Sequence, residues 1–381
     1  MSDTPTYLDH AATTPMRQCA IDAWVEHARA VNPGSQYAAG RAANAVLQQA
    51  REQVGELLGA DPVEVVFTGS GTEADNIAVR GLYAARVAAG APQRVVASTI
   101  EHPAVLESVR ALEAAGAEVA WLEAGRDGHV ADLAALDRPA AVAALMWANN
   151  ETGAIQPVAQ AAERAAAAGT PLHVDAVQAV GKVPVDAGRD GHVADLAALD
   201  RPAAVAALMW LLAKRSPGPQ PLVVGGGQER GLRSGTVDVA AAAATAAALA
   251  EAVSEMEAER ARVRGLRDDL VARVRAEIQG ATLTTAEPAL DGHAHFMFTG
   301  ANADAMLMLL DGLGIEASAG SACSAGVVQL SPVLEAMGIG EEEGMGALRL
   351  TLGRTTTQAD VDRLVAELPA VVERARAVGR L

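Results

Sequence analysis

Apolar and polar positions divide this chain into two patterns. From Ala60 to Ala176, short apolar runs alternate with Ala-rich helical stretches. Val63–Phe67, Arg94–Ser98, Glu118–Leu122, Ala140–Trp147 and Leu172–Asp175 read as strands, with helices over Glu73–Ala85, Pro103–Ala115 and Ala159–Ala168 between them. This alternation predicts an α/β fold, a mainly parallel sheet covered by helices, whose ligands lie at the carboxyl ends of the strands. After Gly231 the pattern changes to one long helical stretch, roughly Val239–Ile278, then a mixed region and a final helix near Gln358–Val378. The change predicts a large domain over 16–250 and a smaller α+β domain built from 1–15 and 251–381, the N-terminal segment packing against the C-terminal part.

One segment departs from any simple pattern. Ala124–Trp147, AGRDGHVADLAALDRPAAVAALMW, recurs letter for letter as Ala187–Trp210. Repeat architectures show several units that drift apart, whereas here two copies are identical and no third exists. A duplication, a chimera or an edited sequence fits better than a solenoid. The first copy runs on into Ala148–Asn149–Asn150, a strand-to-loop transition, and the second into Leu211–Leu212–Ala213. Ala203–Ala213 is apolar enough for one buried strand. By contrast, Gly188–Ala197 would carry Arg189, Asp190 and His192 inward, which predicts local disorder.

Composition narrows the function classes. Aromatic residues make up only 3% of the chain, so aliphatic and helix-forming side chains must supply the core. A net charge of −17 disfavours nucleic acid or an anionic membrane as the main ligand, since both require clustered positive charge. The opening MSDTPTYLDHAATTP lacks a basic and apolar leader, and no run reaches the roughly 18 apolar residues of a membrane span. The expected location is the cytoplasm. Cys19 and Cys323 are too few for a disulfide framework or a four-cysteine metal site, and no metal is expected.

Three segments carry candidate chemistry. In Phe67–Asn76 (FTGSGTEADN), Gly69, Ser70, Gly71 and Thr72 lie between a strand and a helix, where free N–H groups suit a phosphate or simply form a capped turn. In His173–Lys182 (HVDAVQAVGK), a strand ends on Asp175, which could hold a pyridine nitrogen protonated or cap the next turn. Ala317–Gly326 (ASAGSACSAG) surrounds Cys323 with small residues that cannot bury it well, so the thiol is either reactive in a mobile loop or inert.

Together with Tyr7–Pro15 (YLDHAATTP), Asn32–Pro33, Glu101–Val105 (EHPAV), Asn149–Gly153 (NNETG), Gly225–Thr236 (GGGQERGLRSGT) and Leu348–Arg354 (LRLTLGR), these segments resemble the cysteine desulfurases. That family is a branch of the class V aminotransferase group with the fold-type-I pyridoxal-phosphate architecture. The resemblance spans nearly the whole chain except Ala187–Trp210, and makes 16–250 the cofactor-binding domain and the small domain the carrier of the Cys loop. It implies that Asp175 pairs with the pyridine nitrogen, Gln178 with the ring hydroxyl, and Gly71 and Thr72 with the phosphate, while His102 stacks on the ring and moves protons. Thr236 would reach the phosphate of a neighbouring subunit, which implies a homodimer. Asn150 and Arg349, with Asn32 beside them, would grip the carboxylate of L-cysteine. The family reaction yields L-alanine and leaves the sulfur on Cys323 as a persulfide. Protein sulfur acceptors, an iron–sulfur scaffold or a tRNA-thiolation protein, would take it onward.

The resemblance fails at one place. The family holds its Schiff-base lysine in a Ser-x-His-Lys motif shortly after the HVDAVQ segment, and this chain has none. Leu211–Arg215 (LLAKR) is similar to the strand after that lysine loop, so the second copy stands where the loop belongs. Lys182 and Lys214 are the only lysines, and neither has the expected phosphate-binding neighbours. The resemblance therefore implies an impaired desulfurase that binds pyridoxal phosphate weakly or without a covalent bond. A non-catalytic dimeric scaffold, an aminotransferase and a selenocysteine lyase of the same fold are the competing readings.

Overall fold

The computed structural model describes residues 5–184, 203–207, 210–213, 218–320 and 330–378, with only the main chain described over 203–213. Among the described residues twelve strands are formed. In chain order they are β1 (Thr6–Tyr7), β2 (Val65–Phe67), β3 (Arg94–Ser98), β4 (Glu118–Leu122), β5 (Val142–Ala144), β6 (Leu172–Asp175), β7 (Ala203–Ala207), β8 (Trp210–Ala213), β9 (Ala281–Leu283), β10 (His293–Phe298), β11 (Ile315–Glu316) and β12 (Ala347–Thr351).

Seven of them make one sheet in the order β2-β8-β7-β6-β5-β3-β4, with β8 antiparallel to both neighbours and the other pairings parallel. A fully parallel central sheet needs apolar residues on both faces, and β2, β3, β5 and β6 are buried along their whole length. The expected strand over Ala140–Trp147 is regular only at Val142–Ala144, yet its pairing with β6 continues as Leu145 N–H to His173 O (3.0 Å) and Trp147 N–H to Asp175 O (2.8 Å). Ala203–Ala213 forms two antiparallel strands rather than one, so the sheet gains a reversal there. The Gly188–Ala197 portion of the second copy lies outside the described residues.

The helix expected over Glu73–Ala85 runs from Gly71 to Ala88 and widens into a π segment at Ile77–Gly81. The widening has a local partner. Gly81 O accepts from Gln220 N at 2.9 Å, and a methyl at Gly81 would lie 2.5 Å from Gln220 O, so the close approach of Pro219–Gln220 to the helix needs a glycine there.

Two apolar clusters are bridged by the helix Val239–Glu277, capped by the Asp238 side chain on Ala241 N (3.0 Å). Its Ala242, Ala246 and Leu249 join the core of the seven-stranded sheet, and its Val263, Leu266, Leu270 and Val274 join a second core around β10, β12 and the helix Gln358–Val378. The N-terminal segment belongs to this second region through β1, which pairs with β11, and through fully buried Leu8. Arg17 fastens the start of the chain to the same helix by ion pairs with Glu251 (2.8 Å), Glu255 (2.5 Å) and Glu259 (3.4 Å).

A buried charge pair joins the Gly225–Thr236 segment to the sheet. Arg51 binds both oxygens of Glu229 (2.8 and 2.9 Å) and donates to the Val65 carbonyl, and Glu229 also accepts from Phe67 N (3.0 Å). Glu229→Ala would leave the Arg51 guanidinium enclosed without its counter-charge, a change that costs about 3–5 kcal/mol. Urea unfolding of the variant should report a loss of that size, and a loss below about 1 kcal/mol would place the pair among weak surface contacts.

Candidate active site

The strands β2, β3, β5 and β6 run parallel, so the loops after them open at one edge of the sheet. After β2, Ser70 caps the helix by accepting from Glu73 N at 3.1 Å. The Glu73 carboxylate turns back to Gly69 N (2.5 Å) and is held from outside by Arg233 Nε at 3.0 Å. The N–H groups of Gly71 and Thr72 are left without a partner among the described residues. Two free donors at a helix start fit a phosphate.

After β3, His102 caps the helix Pro103–Ala114 by accepting from Ala104 N at Nδ1 (3.2 Å). That bond puts the ring proton on Nε2, on the exposed side chain. The preceding Glu101 is enclosed, accepting from Ser98 Oγ (2.5 Å) and Met146 N (2.7 Å), while its second oxygen has no partner among the described residues. Burial pushes its carboxyl up to about 7, against the two hydrogen bonds that favour its charge.

After β6, Asp175 accepts from Val177 N (2.9 Å). Burial raises its pKa, and the neighbouring Asp75 charge raises it further. A carboxylate that is costly to ionise alone suits a cationic ring nitrogen arriving with a ligand. Beneath it, His173 and Asp75 form a buried pair at 3.0 Å; burial lowers the His173 pKa, but Asp75 together with Asp175 and Glu101 raises it on balance. Gln178 donates to Ala11 O (2.8 Å) and accepts from Lys182 Nζ (2.8 Å). Burial, opposed by Glu259 and aided by the Arg349 charge, brings the Lys182 ammonium down to about 8.

The turn after β5 faces the three-stranded sheet β12-β10-β9. Arg349 on β12 is buried, donating from Nη1 to Asn150 O (3.0 Å) and from Nη2 to Asp9 (2.7 Å). It therefore joins the YLDHAATTP and NNETG segments in one place. Of the remaining expected residues, Asn32 is exposed and its side chain accepts from Gly34 N (2.8 Å), and Thr236 is exposed after the Gly225–Gly235 loop. Neither is hydrogen-bonded to Asp175, His102 or Arg349 among the described residues. Cys323 and Lys214 lie outside the described residues.

Several polar groups that organise the site carry no separate weight in the sequence reading. Glu101 and Asn149 sit inside the quoted motifs EHPAV and NNETG, but their partners Ser98, Met146 and Ile100 belong to other segments. Glu151, also in NNETG, accepts from Ser331 Oγ at 2.6 Å, and Gly320 lies so close that a methyl there would come within 2.5 Å of the same carboxylate. Only the density of Asn, Glu and Thr in a segment that follows an apolar strand signals such a network in advance.

The raised Glu101 carboxyl has a pH consequence. Its ordinary value is 4.5 and its folded value about 7, so the folded chain holds this proton more tightly, and the resulting stability is full below pH 4.5 and lost as pH rises to about 7. Glu101→Gln keeps an oxygen for Ser98 and Met146 but cannot ionise. Urea unfolding from pH 5 to 8 should show that the variant lacks part of the parent's decline, by roughly 3 kcal/mol at most. Superimposable stability profiles would mean that Glu101 does not change protonation on unfolding.

Comparison with known proteins agrees with the geometry. The family described as aminotransferase class-V matches residues 6–197 and 223–364. An IscS-like cysteine desulfurase of Mycobacterium tuberculosis is 46% identical over 380 residues, covering 97% of each chain. The cysteine desulfurase NifS of Azotobacter vinelandii is 36% identical, covering 98% of this chain and 94% of that one. Among solved structures, a NifS-like protein superposes with a TM-score of 0.86 at 28% identity over 97% of this chain and 100% of its own. DndA from Streptomyces lividans gives 0.72 at 30% identity over 91% and 99%. With matches of this extent, the chain belongs to the class-V aminotransferase family of pyridoxal-phosphate enzymes, in its cysteine desulfurase branch.

Proposed function

We propose that this chain is a cysteine desulfurase scaffold in which the second copy of Ala124–Trp147 stands in place of the segment that anchors the cofactor through a lysine. The observation that carries the reading is the 24-residue identity itself, in a chain with only two lysines. Lys214 falls within 198–222, the stretch between the two family-matched parts, and Lys182 is engaged with Gln178 four residues earlier.

In this reading Asp175 would hold pyridoxal phosphate at its ring nitrogen, Gln178 at its hydroxyl, Gly71 and Thr72 at its phosphate, and His102 by stacking. Bound there, the cofactor supplies an electron sink for the bonds broken at the substrate Cα. Arg349 and Asn150, with Asn32 a weaker candidate, would orient the carboxylate of L-cysteine, and His102 would help move protons. The Cys323 thiolate takes the substrate sulfur, alanine leaves, and a protein acceptor for iron–sulfur assembly or tRNA thiolation collects the persulfide. Without an anchoring amine, pyridoxal phosphate is held only by hydrogen bonds, stacking and charge, and turnover is low. The large part, 16–250, holds the cofactor, and 1–15 with 251–381 form the smaller part that carries the Cys loop.

The missing lysine motif also supports a second reading, a dimeric partner that retains the surface without catalysis. Aminotransferase and selenocysteine lyase activities stay within reach of the same fold. Cys323 in its small-residue segment favours desulfuration over the former.

A homodimer is supported by exposed apolar side chains near the N-terminus and in the Gly225 loop. Trp24 (45% exposed), Val25 (64%) and Val224 (82%) offer apolar surface that a second copy of the chain would cover. The one described helix apolar enough by composition to cross a membrane, Val239–Glu277, packs along the helices Ala38–Leu58 and Gln18–His27, in keeping with a cytoplasmic core helix.

Replacing Ala187–Trp210 by a Ser-x-His-Lys loop should restore a borohydride-reducible adduct and alanine release from cysteine. If the present chain already turns over at about 1 s⁻¹ or faster, Lys182 or Lys214 has assumed the anchoring role and the second copy is not disabling. Cys323→Ala in the restored protein should abolish persulfide labelling while leaving the melting temperature unchanged. Equal labelling of variant and parent would move the sulfur acceptor elsewhere. Light scattering at micromolar concentration should report a dimer, and Trp24→Glu should shift it toward monomer. A monomeric parent would remove the Thr236 contribution to a neighbouring site.

A further inference from the structure

We infer that Lys182 is a positioning residue: its side-chain donor fixes which end of the Gln178 amide faces the cofactor, so that Gln178 presents an N–H, not an oxygen, to the ring hydroxyl of pyridoxal phosphate. The inference rests on the reading of Gln178 as the partner of that hydroxyl.

The turn after β6 brings the two side chains together. Ala179 N and Val180 N both bond to Ala176 O (2.9 and 3.0 Å), and Lys182 N and Val183 N both bond to Ala179 O (2.9 and 2.8 Å), so the chain winds as a helical turn from Ala176 onward. Residues four apart on such a winding are neighbours. Gln178 and Lys182 are such a pair, and Lys182 Nζ donates to Gln178 Oε1 at 2.8 Å. Gly181 has φ +75°, and a methyl there would lie 3.2 Å from the Ala252 methyl of the long helix, so a glycine lets the turn close against that helix just before Lys182.

The other end of the amide is held by a second segment. Gln178 Nε2 donates to Ala11 O at 2.8 Å, and Ala11 is itself fastened by its N–H to Thr351 Oγ1 (2.9 Å) on β12. Turning the amide over would set its NH2 against the lysine donors and its oxygen against the Ala11 carbonyl. Both contacts would become repulsive, so the two partners together admit one orientation. Gln178 is buried, and the loss of either bond at that depth is costly. A carboxamide nitrogen carries two hydrogens, and the second has no acceptor among the described residues. That N–H is what Gln178 has left to offer a ligand.

A lysine suits this role better than a neutral donor. Burial lowers the Lys182 pKa, Glu259 raises it and Arg349 lowers it again, to about 8, so the amine stays charged at pH 7. A charged donor on Oε1 polarises the amide and strengthens its remaining N–H.

The test uses two probes without an aldehyde, to which no amine can bond covalently: pyridoxine phosphate, and the same molecule with hydrogen in place of its ring hydroxyl. Calorimetric titration of the full chain with each at pH 7 gives a ratio of affinities that isolates the contact at the hydroxyl. The parent should prefer the hydroxylated probe about tenfold. Lys182→Met should bring that preference to within about twofold of unity while binding the deoxy probe as the parent does. Lys182→Arg, which can still donate to Oε1, should keep most of the preference, and Gln178→Leu should abolish it. A structural role alone would weaken both probes alike and leave the ratio unchanged. A parental ratio in Lys182→Met, or as complete a loss in Lys182→Arg, would overturn the inference. If the Met variant fails to fold, Lys182→Ala decides in the same way. A parent without preference, or a Gln178→Leu that keeps it, removes the reading of Gln178 and the inference together. Loss in Gln178→Leu with the Lys182 variants silent removes the inference alone.

Discussion

The side chain of Asn149 is the interaction on which the site depends. Fully buried, it accepts from Glu151 N (2.9 Å), Thr152 N (2.9 Å) and Thr152 Oγ1 (3.2 Å) and donates to Ile100 O (3.1 Å). One carboxamide thereby closes the turn after β5 and ties it to the loop after β3, where Glu101 and His102 sit. Each bond is modest alone, but an unpaired polar group at such depth would cost more than a bond returns, so the four must form together. From this fixed turn three contacts leave for the smaller sheet. The Asn150 carbonyl meets Arg349, Glu151 meets Ser331, and Gly153 meets the ring of His293.

The charges around the turn are arranged so that few are free. Arg349 is balanced by Asp9, and His10, His293 and His295 are all kept neutral by burial and nearby cations. On the other side of the site the carboxyls of Glu101 and Asp175 are both raised by burial. A guanidinium already balanced by Asp9 and a group of reluctant acids therefore stand near the loops of the large sheet, and the reluctance of the acids arises from burial more than from any single ion pair.

Much of the fold is legible in the sequence, because strand and helix patterning is local. The parallel strands, the long helix from Val239 and the last helix from Gln358 fall where periodicity places them. The polar network is not local. His173 and Asp75 are 98 residues apart, Ser331 and Glu151 are 180 apart, and nothing in either segment alone names its partner. The motif resemblance names Asp175, His102 and Gln178, which lie at or just after the ends of β6 and β3 at one edge of the large sheet, and Arg349, which lies on β12 of the smaller one, whereas Asn32 and Thr236 are exposed. The single strand expected over Ala203–Ala213 became a pair because an apolar run has no internal signal for a reversal.

The repeated segment shows most directly what sequence does and does not determine. The same AAVAA is drawn into the sheet in both copies, as β5 on one side of β6 and as β7 on the other, parallel each time. Its register differs, however, with Leu172 opposite Ala143 in the first copy and opposite Ala203, the counterpart of Ala140, in the second. Alanine methyls are small and alike, so little packing specificity penalises the slip, and the unpaired edge of β6 accepts the strand wherever its hydrogen bonds can be made. The sheet is therefore indifferent to which chemistry the segment brings. A cofactor anchor is not, since one amine must reach one carbon atom. Main-chain pairing therefore admits residues 203–207 of the second copy to the sheet on terms that set no demand on the side chains they bring.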